Sequence, residues 1–253
     1  MPRTDMHRRK LLGGATLLLG GCDRLAENDT VQRVLASAEG LTRRVQRLLG
    51  GEHTLAPEYA EADVSPVFKA NGTLNPDDDD YQDMAAKHFS GWRLEVTGLV
   101  ERPLRLSLDD LRAMPPRTQI TRHDCVEGWS CIGKWKGAVL GDVLRQAEPR
   151  AGARYVVFRC ADPMENGDPD SKYYESIGLD EAFHPQTILA YDMNGAPLPV
   201  AHGAPLRVRV ERQLGYKMAK YLMRIEVADS FAHIGSGNGG YWEDQGYAWY
   251  AGI

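Results

Sequence analysis

The sequence predicts an α+β domain. Strand-like runs outnumber helical ones, and the two kinds do not alternate strictly, as a doubly wound sheet would require. No GxGxxG directly follows a strand-like run, so a dinucleotide-binding fold has no support. The chain has 253 residues, 43% of them hydrophobic and 26% charged, ample material for a core in one large domain or two small ones. A formal charge of −5, with no basic, aromatic-interleaved patch, points away from nucleic acid as a partner.

The first residues read as a targeting signal and not as fold. Met6-His-Arg-Arg-Lys-Leu-Leu12 presents a twin arginine, Arg8 and Arg9, before the apolar run Leu11 to Gly21. About eleven residues fall well short of the ~20 that a membrane-spanning helix needs. The pattern fits a twin-arginine export signal over residues 1–21. The run ends Leu19-Gly-Gly-Cys22, which resembles the lipobox of bacterial lipoproteins, where the cysteine is lipidated. The expected location is therefore periplasmic or otherwise extracytoplasmic, with lipidated Cys22 holding the protein to the membrane. Cys125, Cys131 and Cys160 then remain, and an odd number in an oxidising compartment leaves a thiol free or metal-bound.

Residues 22–63 are expected to hold the anchor, an amphipathic helix and a linker. Val31, Val34, Leu35, Ala38, Leu41, Val45 and Leu48 recur at helical spacing, with Asn28 to Thr30 as caps and Gly50-Gly51 as the stop. Arg33, Arg43, Arg44 and Arg47 decorate that helix, which could lie on a membrane surface or pack on the domain. The main domain is expected over 64–230, followed by an aromatic tail over 231–253. Strands are read at Trp92–Val100, Thr118–Cys125, Tyr155–Cys160, Ile188–Asp192, Leu206–Glu211 and Tyr221–Val227. Short helices fit Ser107–Ala113, where Ser107 and Asp110 have capping-box spacing, and Val139–Ala147. The acidic run Asp77 to Asp80 reads as a solvated loop.

Thr121-Arg-His-Asp-Cys-Val-Glu-Gly-Trp-Ser130 places the thiol of Cys125 at a strand end, beside Arg122 and His123. Basic neighbours favour the thiolate that nucleophiles and metal ligands need, although a cysteine there can equally just pack in a core. No second cysteine follows at two-residue spacing, so further ligands to a metal on Cys125 would have to come from a cofactor. Downstream, Asn194-Gly195 signals a tight hairpin. His202-Gly203, Arg207 at the head of a strand, and Gly215-Tyr-Lys217 then put cations on flexible turns. Together His202, Arg207 and Lys217 read as a cradle for an anionic cofactor, while Arg209 and Arg212 read as surface charge.

Cys125-Val-Glu-Gly-Trp-Ser130, the stretch Asn194 to Arg207 and Gly215-Tyr-Lys217, in that order, resemble the molybdopterin-binding domain of the sulfite oxidase family. Within it the likeness is to bacterial periplasmic oxidoreductases such as the methionine-sulfoxide reductase catalytic subunit, over roughly residues 64–230. The resemblance implies the sulfite-oxidase-like fold and a molybdenum–molybdopterin cofactor. Cys125 would be the catalytic residue and the protein thiolate on the metal. Asn71, Cys160, His202, Arg207, Gly215, Tyr216 and Lys217 would contact the pterin and its phosphate. It also implies oxygen-atom transfer on a small-molecule substrate, by a monomer. Electrons would pass through a separate haem or quinone-linked partner, since the chain has no CxxCH. True sulfite oxidases show basic residues after the cysteine, whereas this chain has Val126-Glu127-Gly128-Trp129. An acidic entrance repels a doubly charged anion. S-oxide or N-oxide reduction is therefore expected ahead of sulfite-type oxidation or a non-catalytic lipoprotein that binds an anionic ligand.

Overall fold

The computed structural model describes residues 54–165, 168 and 171–253. The expected export signal, lipobox and amphipathic helix lie outside the described residues. Ten strands follow in chain order: β1 (Leu94–Gly98), β2 (Leu104–Leu106), β3 (Pro116–Cys125), β4 (Trp129–Val139), β5 (Tyr155–Pro163), β6 (Lys172–Gly178), β7 (Ile188–Met193), β8 (Ala196–Pro197), β9 (Arg207–Arg209) and β10 (Leu222–Ala228). Among the described residues five short helices accompany them: α1 (Asp79–Ala86), α2 (Leu108–Ala113), α3 (Leu140–Ala147), α4 (Leu179–Ala182) and α5 (Tyr241–Asp244).

One sheet runs β2-β1-β10-β5-β6. The other runs β3-β4-β7, and the far edge of β7 is shared by β8, opposite Asp192 and Met193, and β9, opposite Ile188 to Ala190. Every pair is antiparallel except β1 with β10, where Val96 faces Ile225. Parallel neighbours need a long crossover, and here the crossover contains the whole second sheet. The strand-rich α+β expectation agrees with this architecture.

The main hydrophobic cluster draws on both sheets: Leu94, Val96, Val156, Phe158, Ile225 and Val227 from the first, Leu189, Tyr191 and Val208 from the second, with Leu140, Val143 and Leu144 of α3. Strand β7 is apolar on both faces because it separates two cores. Leu189 and Tyr191 face the main cluster, while Ile188 and Ala190 join a second one with Phe68, Trp135, Met193 and Leu198. Alternate residues of a strand point to opposite faces, so a doubly buried strand reads as a continuous apolar run.

Helix α2 starts on the capping box read from the sequence: Asp110 N–H donates to Ser107 Oγ at 3.1 Å and Ser107 N–H to Asp110 Oδ2 at 2.8 Å. The acidic run, expected as a loop, instead opens α1. Asp78 accepts from Tyr81 N–H at 2.9 Å, and Asp79 and Asp80 occupy the first turn, where negative charge complements the helix dipole. Strands β4 and β6 escaped the sequence reading. Gly133, Lys134, Lys136 and Gly137 interrupt the alternation of β4, and the buried Glu175 and Ser176 do the same in β6. The stretch before residue 64, read as linker, is tied to the domain from Thr54 onward: Tyr59 N–H donates to Ile120 C=O at 2.9 Å and Ala56 N–H to Gln186 Oε1 at 2.7 Å. The tail folds back, with Leu214 N–H donating to Ala251 C=O at 2.9 Å and Tyr216 Oη to Ala248 C=O at 2.6 Å.

A cavity built around Cys125 and two cations

Strand β3 ends at Cys125, and a three-residue turn leads into β4, where Trp129 pairs opposite the cysteine. The thiol is buried, with Asn71 Nδ2 at 3.8 Å from Sγ. Its two basic sequence neighbours do not make it a thiolate. Arg122 alternates to the outer face and pairs with Asp124 at 2.9 Å. His123 points inward, where burial, then Arg209, Arg207 and Lys220, hold its imidazole well below the ordinary histidine range. Burial is also the first cause pushing the Cys125 thiol up. A coordinated cation reverses that preference, because a metal deprotonates its thiol ligand outright.

The neutral state of His123 fixes its tautomer. Arg209 Nη1 stands 3.0 Å from Nδ1, and a guanidinium can only donate, so Nδ1 accepts and the proton is on Nε2. Gly215 closes over that edge of the ring so tightly that any side chain at 215 would collide with it. Arg209 is fully buried between His123 and Glu211, whose Oε2 it meets at 2.7 Å. This corrects the surface reading of Arg209: the Arg-Val-Arg run puts polar groups into the interior between β9 and β3.

Arg207 differs from Arg209. It is 2% exposed, yet among the described residues its guanidinium bonds no carboxylate. Nη1 donates to His202 C=O at 3.0 Å and Nη2 to Met218 C=O at 3.4 Å, the group lies 5.0 Å over the Trp135 ring, and Nε has no partner. Burial, then Arg209, draws Arg207 down to about 9. Lys220 is its companion. Among the described residues its ammonium donates to carbonyls, Asn71 at 2.6 Å and Thr73 at 2.5 Å, and burial, then Arg207, draws it down to about 7 against the opposing pull of Asp162. A buried charge without a counter-charge is costly. Arg207 is buried and Lys220 half-buried; Glu211 and Asp162 act on them through space without bonding them, and the phosphate of a molybdopterin fits this positive pair.

Arg207 and Lys220 line one cavity of about 200 Å³ together with Cys125, Asn71, Thr73 and Asp162, whose carboxyl burial raises to about 7. Tyr216, Met218, Trp242 and Tyr247 complete much of its apolar lining. A recess of about 1190 Å³ elsewhere shares only Tyr173 with it, and salt bridges such as Lys172–Asp78 at 2.8 Å already satisfy charges there.

Of the residues expected to hold the cofactor, Cys125, Asn71, Arg207, Gly215 and Tyr216 line this cavity. His202 does not. It closes a 3-10 turn, packs edge-on against Phe68 at 5.6 Å and serves Arg207 through its carbonyl. Cys160 packs in the main core, where burial holds its thiol well above the usual range. Lys217 is the clear correction. Its ammonium is fully buried 2.5 Å from both Glu175 and Glu243, joining β6 to α5, and it is not on the cavity. Lys220, three residues on along the same loop, is the cation there. Spacing alone could not choose between the two lysines, because the carboxylates that claim Lys217 come from distant parts of the chain. Asp162, Trp242 and Tyr247 were also missed; they lie at a strand end and in the tail, with no local motif.

The family described as the oxidoreductase molybdopterin-binding domain matches residues 81–233. YedZ1 of Azospira oryzae, whose name proposes a protein-methionine-sulfoxide reductase subunit, is 38% identical over 250 residues, 99% of this chain and 87% of its own. The protein-methionine-sulfoxide reductase catalytic subunit MsrP of Ralstonia nicotianae is 39% identical over 145 residues, 54% of this chain but only 44% of that protein. Among solved structures, the sulfane dehydrogenase SoxCD from Paracoccus pantotrophus aligns with a TM-score of 0.50 and 23% identity, over 56% of this chain and 39% of that one, a likeness of fold. The chain belongs to the oxidoreductase molybdopterin-binding domain family and is an enzyme of the sulfite oxidase type that takes a molybdenum–molybdopterin cofactor.

Proposed function

We propose that this enzyme reduces S-oxides, with Cys125 as the protein thiolate on the metal and electrons supplied by a separate haem or quinone-linked protein. The observation that carries the cofactor's placement is the pair of cations, buried Arg207 and half-buried Lys220, opening on the same cavity as Cys125 without a bonded carboxylate among the described residues. When bound, the cofactor supplies two-electron chemistry at a sulfur-ligated metal. The protein's part is to hold and orient. Arg207 and Lys220 bind the phosphate, Asn71 steadies the Cys125 sulfur, and Gly215 brings the backbone close to His123.

The reaction takes a sulfoxide, two electrons and two protons to a thioether and water. Support for this direction comes from relatives named as methionine-sulfoxide reductases and from the cavity mouth. There Glu127 accepts from Trp129 Nε1 at 2.9 Å, a bond that holds its carboxyl below the usual range. Lys69 Nζ lies 3.5 Å from the same carboxylate, so this pair offers no net positive charge to a dianion such as sulfite and leaves a neutral sulfoxide unaffected. Export by the twin-arginine route and anchoring through Cys22 remain part of this reading. A screen of the molybdenum-loaded enzyme with reduced viologen and sulfoxides or N-oxides, and with ferricyanide and sulfite, tests it. Sulfoxide-dependent viologen oxidation is expected; sulfite-dependent ferricyanide reduction alone would reverse the direction.

A further inference from the structure

We infer that the C-terminal segment 240–249 forms the substrate-facing wall of the Cys125 cavity and selects sulfoxides that carry an apolar arm. The inference rests on the reductase reading above. The cavity lining divides by chemistry. Arg207, Lys220, Asp162 and Thr73 are polar and suit the cofactor, whereas Trp242 and Tyr247, with Tyr216, are aromatic. Trp242 and Tyr247 lie beyond residues 81–233, the span that matches the family.

The wall is held in place from several sides. Glu243, next to Trp242, is buried against Lys217, and Lys217 is next to Tyr216. One ion pair therefore fixes two of the three rings relative to each other. Tyr216 Oη donates to Ala248 C=O at 2.6 Å, and Asp244 Oδ2 accepts from Ser236 N–H at 2.7 Å. The rings form one surface: Tyr216 to Tyr247 is 5.4 Å between centroids, and Tyr247 to Trp242 is 5.4 Å. Tyr247 is 42% exposed and Val126, across the cavity lining, is 45% exposed. Apolar side chains left facing water at a cavity rim mark a contact surface. Aromatic edges and faces also receive polarisable sulfur favourably and offer no charge to an anion. A neutral sulfoxide with an aryl or long alkyl arm matches this lining better than a compact one.

The test compares the molybdenum-loaded parent with Trp242→Ala, Trp242→Phe and Tyr247→Ala, using methyl phenyl sulfoxide and dimethyl sulfoxide. Tyr247 is exposed enough that its variant should fold even if Trp242→Ala does not. The expected result is that kcat/KM for methyl phenyl sulfoxide relative to dimethyl sulfoxide falls about tenfold in both alanine variants, the effect of losing a well-packed apolar contact, and recovers in Trp242→Phe. An unchanged ratio in both alanine variants would overturn the inference while leaving the reductase reading intact. Methyl phenyl sulfone, which the enzyme cannot turn over, separates the two claims by calorimetry. If the parent reduces neither sulfoxide, the reductase reading fails. The wall then stands if sulfone affinity drops about tenfold in Tyr247→Ala, and falls if the sulfone binds equally or not at all.

Discussion

Arg207 and Lys220 bond to no carboxylate among the described residues, while Arg209, two residues from Arg207, is paired with Glu211. Strand alternation does not explain this, since Arg207 and Arg209 share a strand face. The difference is that the partner of Arg209 belongs to the fold and the partner of Arg207 does not. Arg207→Ala and Lys220→Ala should each lower pterin and molybdenum content. A charge-assisted hydrogen bond contributes about 1.5–3 kcal/mol, or roughly 10- to 150-fold in affinity. Arg207→Lys should recover only part, because a point charge lacks the planar fork. Proton linkage gives a second readout. A bound phosphate stabilises the charged form of Lys220, which burial and Arg207 otherwise draw down to about 7. Binding therefore takes up a proton, and cofactor retention on dialysis should weaken as pH rises above about 7. Full loading of Lys220→Ala, with no pH dependence, would return the phosphate to another group. Arg207 was legible in the sequence because it heads a strand after a Gly-Pro loop; Lys220 was not, because nothing local distinguishes it from Lys217.

At the scale of elements, the tail and the 3-10 turn Gly215–Lys217 act as one unit through the Lys217 cluster. Two carboxyls share one ammonium there, and burial holds Glu175 well above the usual carboxylate range. Removing the ammonium leaves buried carboxyls uncompensated, a change that typically costs about 3–5 kcal/mol. Lys217→Met should therefore melt several degrees below the parent, while the folded protein keeps its molybdenum. Selective loss of metal with unchanged melting would restore Lys217 to the cofactor site. Elements with one clean signal were legible: the capping box of α2, and the Asn194-Gly195 turn, where both residues take positive φ between β7 and β8. The acidic start of α1 was read as solvated because charge alone does not reveal a buried Tyr81 beyond it. Strand β4 was hidden because its glycines and lysines are set by two neighbouring strands and not by a single exposed face.

Across the whole molecule, the cavity forms where widely separated parts of the chain meet: Asn71 before the first helix, Cys125 at the end of β3, Asp162 in β5, Arg207 in β9, Lys220 before β10 and Trp242 in α5. The order of three motifs along the chain was enough to indicate the family. It could not indicate how the site is completed, because Asp162, Trp242 and Tyr247 reach the cavity only through sheet topology and the returning tail. Arg207 and Lys220, bonded to no carboxylate among the described residues, mark where the cofactor would be held, with Cys125 as the proposed metal ligand. Molybdenum K-edge X-ray absorption on the parent and Cys125→Ser measures this most directly. The expected result is one fewer sulfur neighbour in the variant, with molybdenum retained because Arg207 and Lys220 still hold the cofactor. The same number of sulfur neighbours in both proteins would contradict the assignment of Cys125 as the ligand.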